Sequence, residues 1–213
     1  MSFIEAVVYI NLDYRKDRKK DIEKVLSIFP SEKVKRFSAI KHTPGTIGCT
    51  KSHIAVLEMA IEQNWKNVLV VEDDMVWNNN FTEQMKILEE KVKNPYDVIV
   101  LSGMNYNYDK ASLKLFSCTS TGAYLVNNHY YKPLLFNFKE GLMNLKIYHR
   151  ITEQYNIDLY WQHLHKKDNW YIVQMMYSPE GYSDVLGMII DYKINYTEKI
   201  QFSTKNLKLK FNR

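Results

Sequence analysis

The spacing of apolar residues changes period several times along the chain. Ala6-Val7-Val8-Tyr9-Ile10 is an unbroken apolar run that suits a buried strand. After Asn11-Leu12-Asp13 the period lengthens. Ile22, Val25, Leu26 and Phe29 recur at helical spacing, and Pro30 closes that helix. Residues 34–40 read as a second strand, and residues 42–48, with Pro44, Gly45 and Gly48, as a loop. Thr50 is placed to cap the next helix, whose Ile54, Leu57 and Ile61 share one face. Val68-Leu69-Val70-Val71 has the continuous β-branched character of a central parallel strand. A helix over residues 81–92 follows, with strands at 97–102 and 122–126. Beyond Asn128 the pattern loosens: 130–138 and 157–164 read as short helices and 171–177 as a strand. Strands alternating with helices predict βαβ units: one α/β domain over residues 1–198 with a mostly parallel central sheet. The basic stretch 199–213 reads as an edge strand or a loose tail.

Composition narrows the class. With 213 residues, 46% hydrophobic and 25% charged, the chain fits a single globular domain. The formal charge of +5 is spread over lysines with acids between them, where nucleic-acid binders usually concentrate it on one face. It serves a small anionic ligand equally well and does not choose between them, and no nucleic-acid partner is expected. Cys49 and Cys118 cannot make a disulfide framework, and a reduced, cytoplasmic setting is expected, with peripheral membrane association left open. No run approaches a membrane helix in length, and residues 1–10 lack a signal-peptide pattern. The lysine, asparagine, tyrosine and isoleucine bias fits an AT-rich microbial or viral genome.

In an open parallel sheet, ligands sit beyond the carboxyl ends of the strands. Three polar clusters fall there: Asn11 to Arg18, Glu72-Asp73-Asp74, and Ser102-Gly103. Three consecutive acids after a buried run repel one another, a cost that a hard divalent cation relieves. Side-chain alternation predicts Glu72 and Asp74 on one side and Asp73 on the other, hydrogen-bonded to the scaffold. The competing view is a solvated strand end. Arg15, Lys16, Arg18, Lys19 and Lys20 crowd the start of a helix, where they either receive an anion such as a diphosphate or form a solvated face. Ser52 and His53 are expected in the first turn of their helix, His53 as a phosphate or ribose contact or as a core histidine. His163 and His165 read chiefly as surface residues. Dinucleotide-binding, P-loop and HExxH motifs are absent, which removes redox, triphosphate-hydrolysing and zinc-protease readings.

Taken together, these blocks resemble the family 25 glycosyltransferases, the group that includes lipopolysaccharide and procollagen galactosyltransferases. Tyr9-Ile10-Asn11-Leu12-Asp13-Tyr14-Arg15-Lys16-Asp17-Arg18 is similar to the opening strand and INLxxRxxR signature. Ile47-Gly48-Cys49-Thr50-Lys51-Ser52-His53 resembles the IGCxxSH block, and Leu69-Val70-Val71-Glu72-Asp73-Asp74 the LEDD motif. Thr121-Gly122-Ala123-Tyr124 and Tyr182-Ser183-Asp184-Val185 resemble the later TxGAY and SDI blocks. The likeness runs from about Ala6 to Leu186 and is thin between Phe138 and Tyr171.

The resemblance implies a GT-A-like (Rossmann-like) fold and an inverting transfer of galactose or glucose from a UDP-sugar. The acceptor would be a hydroxyl on a glycan, lipopolysaccharide or hydroxylysine-type protein. It further implies Mn²⁺ or Mg²⁺ on Asp74 first and Glu72 second, with Asp73 supporting. Asn11, Leu12, Arg15 and Arg18 would hold the uridine diphosphate, helped by Ser52 and His53. Asp158 is the expected catalytic base, with an N-cap role as its alternative. Asp184 is the second candidate, or else orients the metal. A UDP-sugar-binding protein without transferase activity would keep the donor motifs and lose the base.

Overall fold

A computed structural model of the chain describes residues 1–148 and 153–179. In chain order the elements are β1 (Ala6–Asn11), α1 (Lys16–Val25), β2 (Val34–Ser38), α2 (Gly45–Glu62), β3 (Asn67–Glu72), β4 (Val76–Trp77), α3 (Phe81–Lys91), β5 (Val98–Tyr108), β6 (Leu115–Asn127), α4 (Tyr131–Tyr148), α5 (Ile157–Tyr160), α6 (Gln162–Lys167), β7 (Trp170–Ile172) and β8 (Met176–Tyr177). Six strands make one sheet in the order β2-β1-β3-β6-β5-β7. The β1/β2, β1/β3 and β5/β7 pairs are parallel, and β6 alone runs against both its neighbours. The mostly parallel α/β sheet predicted by the alternation is therefore present. β4 and β8 form a separate two-stranded ladder.

The continuous apolar runs are explained by two cores, one on each face of the sheet. Val8, Val70, Val100 and Tyr124 pack with Val56 and Leu57 of α2, Leu134 and Phe138 of α4, and Trp161. Their neighbours Val7, Leu69, Val71, Ile99 and Leu125 pack with Ile22 of α1 and Leu88 of α3. Both faces are covered, so β1 and β3 cannot show an apolar–polar alternation.

Several boundaries differ from the sequence expectation. α2 begins at Gly45 rather than beyond the glycines, with Pro44 at the capping position in extended conformation. Thr50 is therefore inside the helix, buried, and its hydroxyl donates to the Thr46 carbonyl at 2.9 Å. Gly48 permits the close approach of α2 to the preceding segment, because a Cβ there would run into the Ile40 carbonyl oxygen. α4 continues to Tyr148, well past residue 138. The strand expected at 171–177 divides between β7 in the main sheet and β8 in the small ladder. Among the described residues, no helix is long and apolar enough to cross a membrane. The domain boundary expected after residue 198 lies outside the described residues.

Candidate active site

The ends of β1 and β3 and the flank of α2 open onto a cleft of about 300 Å³. Its walls bring together Leu12, Arg15 and Arg18 from the β1–α1 turn, Ser52 and His53 from α2, and Glu72 and Asp73 at the end of β3. Sequence reasoning had singled out all seven. Cys49, Tyr14 and Ile40 line the same cleft and had no assigned role.

Asn11, also expected at the donor, is buried just behind the wall. Its amide nitrogen donates to Asp73 Oδ2 at 2.7 Å and to the Arg15 carbonyl at 3.1 Å, while its amide oxygen accepts from Arg36 Nε at 3.0 Å. One side chain thereby ties the ends of β1 and β3 to the start of α1. Ser52 is likewise committed to the scaffold: its hydroxyl donates to the Gly48 carbonyl and accepts from the Ile40 amide, both at 2.8 Å. Ser52 and His53 lie well inside α2 rather than in its first turn, because the helix starts earlier than its glycines suggest.

The acidic triplet splits differently from the alternation rule. Arg18 donates to Asp73 Oδ1 at 3.1 Å and stands 3.8 Å from Asp74 Oδ2, so one guanidinium gathers both aspartates. Glu72 turns toward α2 and β6, where its Oε1 accepts from Thr121 Oγ1 at 2.7 Å and lies 3.3 Å from His53 Nε2. Alternation fails because β3 ends at Glu72 and the chain turns through Asp73-Asp74. Asp73 and Asp74 stand side by side at this guanidinium and offer only carboxylate oxygens. That donor set fits a hard divalent cation such as Mg²⁺ or Mn²⁺.

His53 is buried, and its Nδ1 lies 2.7 Å from the Tyr124 hydroxyl. Both neighbours are satisfied with the ring proton on Nε2 toward Glu72 and Nδ1 accepting from Tyr124. Burial works to raise the Glu72 carboxyl, but the His53 contact and the Thr121 hydroxyl outweigh it and hold its pKa below the ordinary glutamate value. Among the described residues, Cys49, His53 and Glu72 form one group whose ligand atoms lie within 4.8 Å of one another. Burial, then the Glu72 charge, push the Cys49 thiol well up, so it remains protonated and is a poor ligand for a hard ion.

Asp158 lies in the first turn of α5, but the N-cap position belongs to Asn156, so the capping alternative is excluded. Its Oδ2 instead accepts from the Ser120 amide at 3.0 Å. Burial raises its pKa; the Ser120 amide and the Asp158 amide itself oppose that shift, and the Glu72 and Glu153 charges add to it. Asp184 lies outside the described residues.

The block Thr121-Gly122-Ala123-Tyr124, singled out by resemblance without a role, and Ser120, not singled out at all, lie at an irregularity in β6. Ala123 faces Ser102 and Thr119 faces Met104, so Ser120, Thr121 and Gly122 stand opposite Gly103 alone. Ser120 takes φ 79°, in the left-handed region that costs a non-glycine residue on the order of 1 kcal/mol. This bulge aims the Ser120 amide at Asp158 and the Thr121 hydroxyl at Glu72. A two-residue alternation does not reveal it. His165 also departs from expectation. It is fully buried, packed on Trp170 and Trp161 at ring distances of 4.5 and 5.6 Å, and burial pulls its pKa down to about 3. It is a neutral core residue rather than a surface one.

The family model of glycosyltransferase family 25 (LPS biosynthesis protein) matches residues 33–161, more than half of the chain. No curated protein is significantly similar to it in sequence. Among solved structures, a glycosyltransferase involved in glycosylation of the major capsid of PBCV-1 is similar with a TM-score of 0.52. The two are 10% identical, with 81% of this chain and 93% of that one covered. A197 from STIV has a TM-score of 0.45 and 15% identity, with 81% and 83% covered. The glycosyltransferase GlyE of Streptococcus pneumoniae TIGR4 has a TM-score of 0.49 and 12% identity, with 88% and 50% covered. The likeness to the PBCV-1 protein shows a common GT-A-like fold.

Proposed function

The chain belongs to glycosyltransferase family 25, and from that premise we propose that it is a metal-dependent, inverting hexosyltransferase acting on a UDP-sugar. Galactose or glucose would pass to a hydroxyl of a glycan, lipopolysaccharide or hydroxylysine-type protein. The observation that carries this reading is the cleft lined by Arg15, Arg18, Glu72 and Asp73, in which Arg18 pairs with Asp73 and stands 3.8 Å from Asp74 behind the wall.

In this reading Arg15 and Arg18 bind the diphosphate, and Leu12 and His53 wall the nucleotide. Asn11 and Ser52 act through the wall they hold in place. Asp74, with Glu72 and the supporting Asp73, would hold Mn²⁺ or Mg²⁺, which when bound stabilises the charge that develops on the departing UDP. Asp158 is the base, with Asp184 as the second candidate. The acceptor oxygen attacks the anomeric carbon from the side opposite the phosphate, and its proton passes to Asp158. The carbon–oxygen bond to the β-phosphate breaks, and its electrons leave with UDP. What supports Asp158 is its raised pKa, which burial causes, together with the Ser120 contact that fixes Oδ2.

The test measures UDP release from a panel of UDP-sugars with and without Mn²⁺, in the wild type and Asp74→Ala. The expected result is acceptor-dependent UDP release from a UDP-hexose that needs the divalent ion and collapses in the variant. Turnover without any divalent ion, or unchanged in Asp74→Ala, overturns the metal assignment. UDP-sugar binding with no turnover across an acceptor panel would instead identify a binding protein.

A further inference from the structure

α4 buries one side in the ordinary way, through Tyr131, Leu134, Phe138 and Leu145. Its opposite side is unusual. Phe136, Met143 and Ile147 are 69%, 59% and 62% exposed, which on a surface helix requires a reason. At 3.6 residues per turn these three fall into one row along the helix. Lys132, Lys139 and Lys146, each two turns from the next, form the row beside it, and all three are exposed. Acidic groups around this face are already engaged. Glu58 of α2 pairs with Lys139 at 2.7 Å, and Glu140 accepts from the Tyr160 hydroxyl at 2.7 Å. The face therefore presents an apolar row flanked by a cationic row.

We propose that this face of α4 is a docking surface for an anionic lipid membrane, with Phe136, Met143 and Ile147 entering the interface and Lys132 and Lys146, on either side of the Glu58-paired Lys139, meeting the headgroups. Charge complementarity selects this occupant. An apolar row alone would suit a protein groove equally well, whereas a parallel row of lysines suits a surface of negative headgroups. Lysine stems lie along apolar surface while their ammonium groups reach outward, so both rows engage together. The five cations of residues 199–213, with no acid among them, equal the whole net charge of +5, so the preference rests on the local row of α4 rather than on net charge. The inference is independent of the donor chemistry, since none of the six residues lines the cleft.

Sedimentation of the full chain with vesicles tests it. Vesicles of phosphatidylcholine and phosphatidylglycerol in equal parts should bind the protein, phosphatidylcholine alone should not, and added salt should weaken the binding. Charge reversal of Lys132 or Lys146 to Glu should each cost at least about fivefold in partitioning, the factor for roughly one lysine at a lipid surface. Phe136→Ser, Met143→Ser and Ile147→Ser combined should abolish binding. Unchanged circular dichroism and urea midpoint would confirm that these exposed substitutions leave the fold intact. Binding that survives the α4 variants but is lost on Lys205→Glu, Lys208→Glu and Lys210→Glu overturns the proposal in favour of the tail. So does a wild-type dimer that Phe136→Ser converts to monomer with vesicle binding unaltered, and so does equal binding to both vesicle types.

Discussion

Glu72, which lines the cleft, and Asp158, near enough to feel its charge, are carboxylates held by two different constructions. Glu72 receives a hydroxyl and an imidazole, and its pKa falls despite burial. Asp158 receives the Ser120 amide on Oδ2, and its pKa rises because burial dominates. The difference teaches how two neighbouring acids are kept in different states. A carboxylate facing an imidazole and a guanidinium stays charged, whereas one whose nearest charges are other acids is poised to take a proton. β6 supplies one donor to each, Thr121 to Glu72 and Ser120 to Asp158.

The largest test of this contrast is Asp158→Asn. Turnover should fall about 10²- to 10⁴-fold while UDP affinity stays where it was, as steady-state kinetics and calorimetry would read. In the wild type, activity should rise as pH passes the folded pKa of Asp158. That acid limb should lie above the ordinary aspartate value and vanish from the variant's residual rate. Equal limbs in both would break the contrast.

His53→Ala comes next. It empties a buried site and strands the Tyr124 hydroxyl, for a loss of about 2–4 kcal/mol in urea denaturation. With the imidazole gone, the Glu72 carboxyl should move upward toward the behaviour of Asp158.

The smallest effects carry the clearest signs. A carboxyl whose folded pKa is lowered adds stability above its unfolded pKa and loses it as pH falls. One whose folded pKa is raised adds stability at low pH and loses it as pH rises through the folded value. Glu72→Gln should therefore destabilise the protein at neutral pH by roughly 1–2 kcal/mol, and Asp158→Asn should stabilise it by under about 1 kcal/mol. Two shifts of the same sign would mean that the two carboxyls do not differ as described.

What sequence could disclose follows the same division. β1 and β3 are covered on both faces, so their burial is written as unbroken apolar runs, and the polar residues just beyond them mark the cleft. Arg15, Arg18 and the triplet were visible for that reason. Of β6, the block Thr121–Tyr124 was visible as a motif, but its contacts and the part of Ser120 were hidden, because a bulge of three residues against one destroys the period that identifies strand faces. The early start of α2 was hidden because Pro44 and Gly45 signal a loop locally, although proline suits the residue ahead of a helix. The glycine at 48 answers to Ile40, a tertiary contact. α4 was cut short in the sequence reading because apolar residues on both of its sides blur a helical period.

The single reversed strand has a kinetic consequence. Thr121 reaches Glu72 across 49 residues of chain, and Tyr124 reaches His53 across 71. Closing loops of that length comes before the contacts that reward it, so the floor of the cleft forms late on the folding route. A nascent chain that has made only β1, α2 and β3 holds Glu72 at the sheet without its hydroxyl donor. The floor of the cleft is thus completed only when β6 inserts, so closure of the sheet and completion of the cleft arrive in one step.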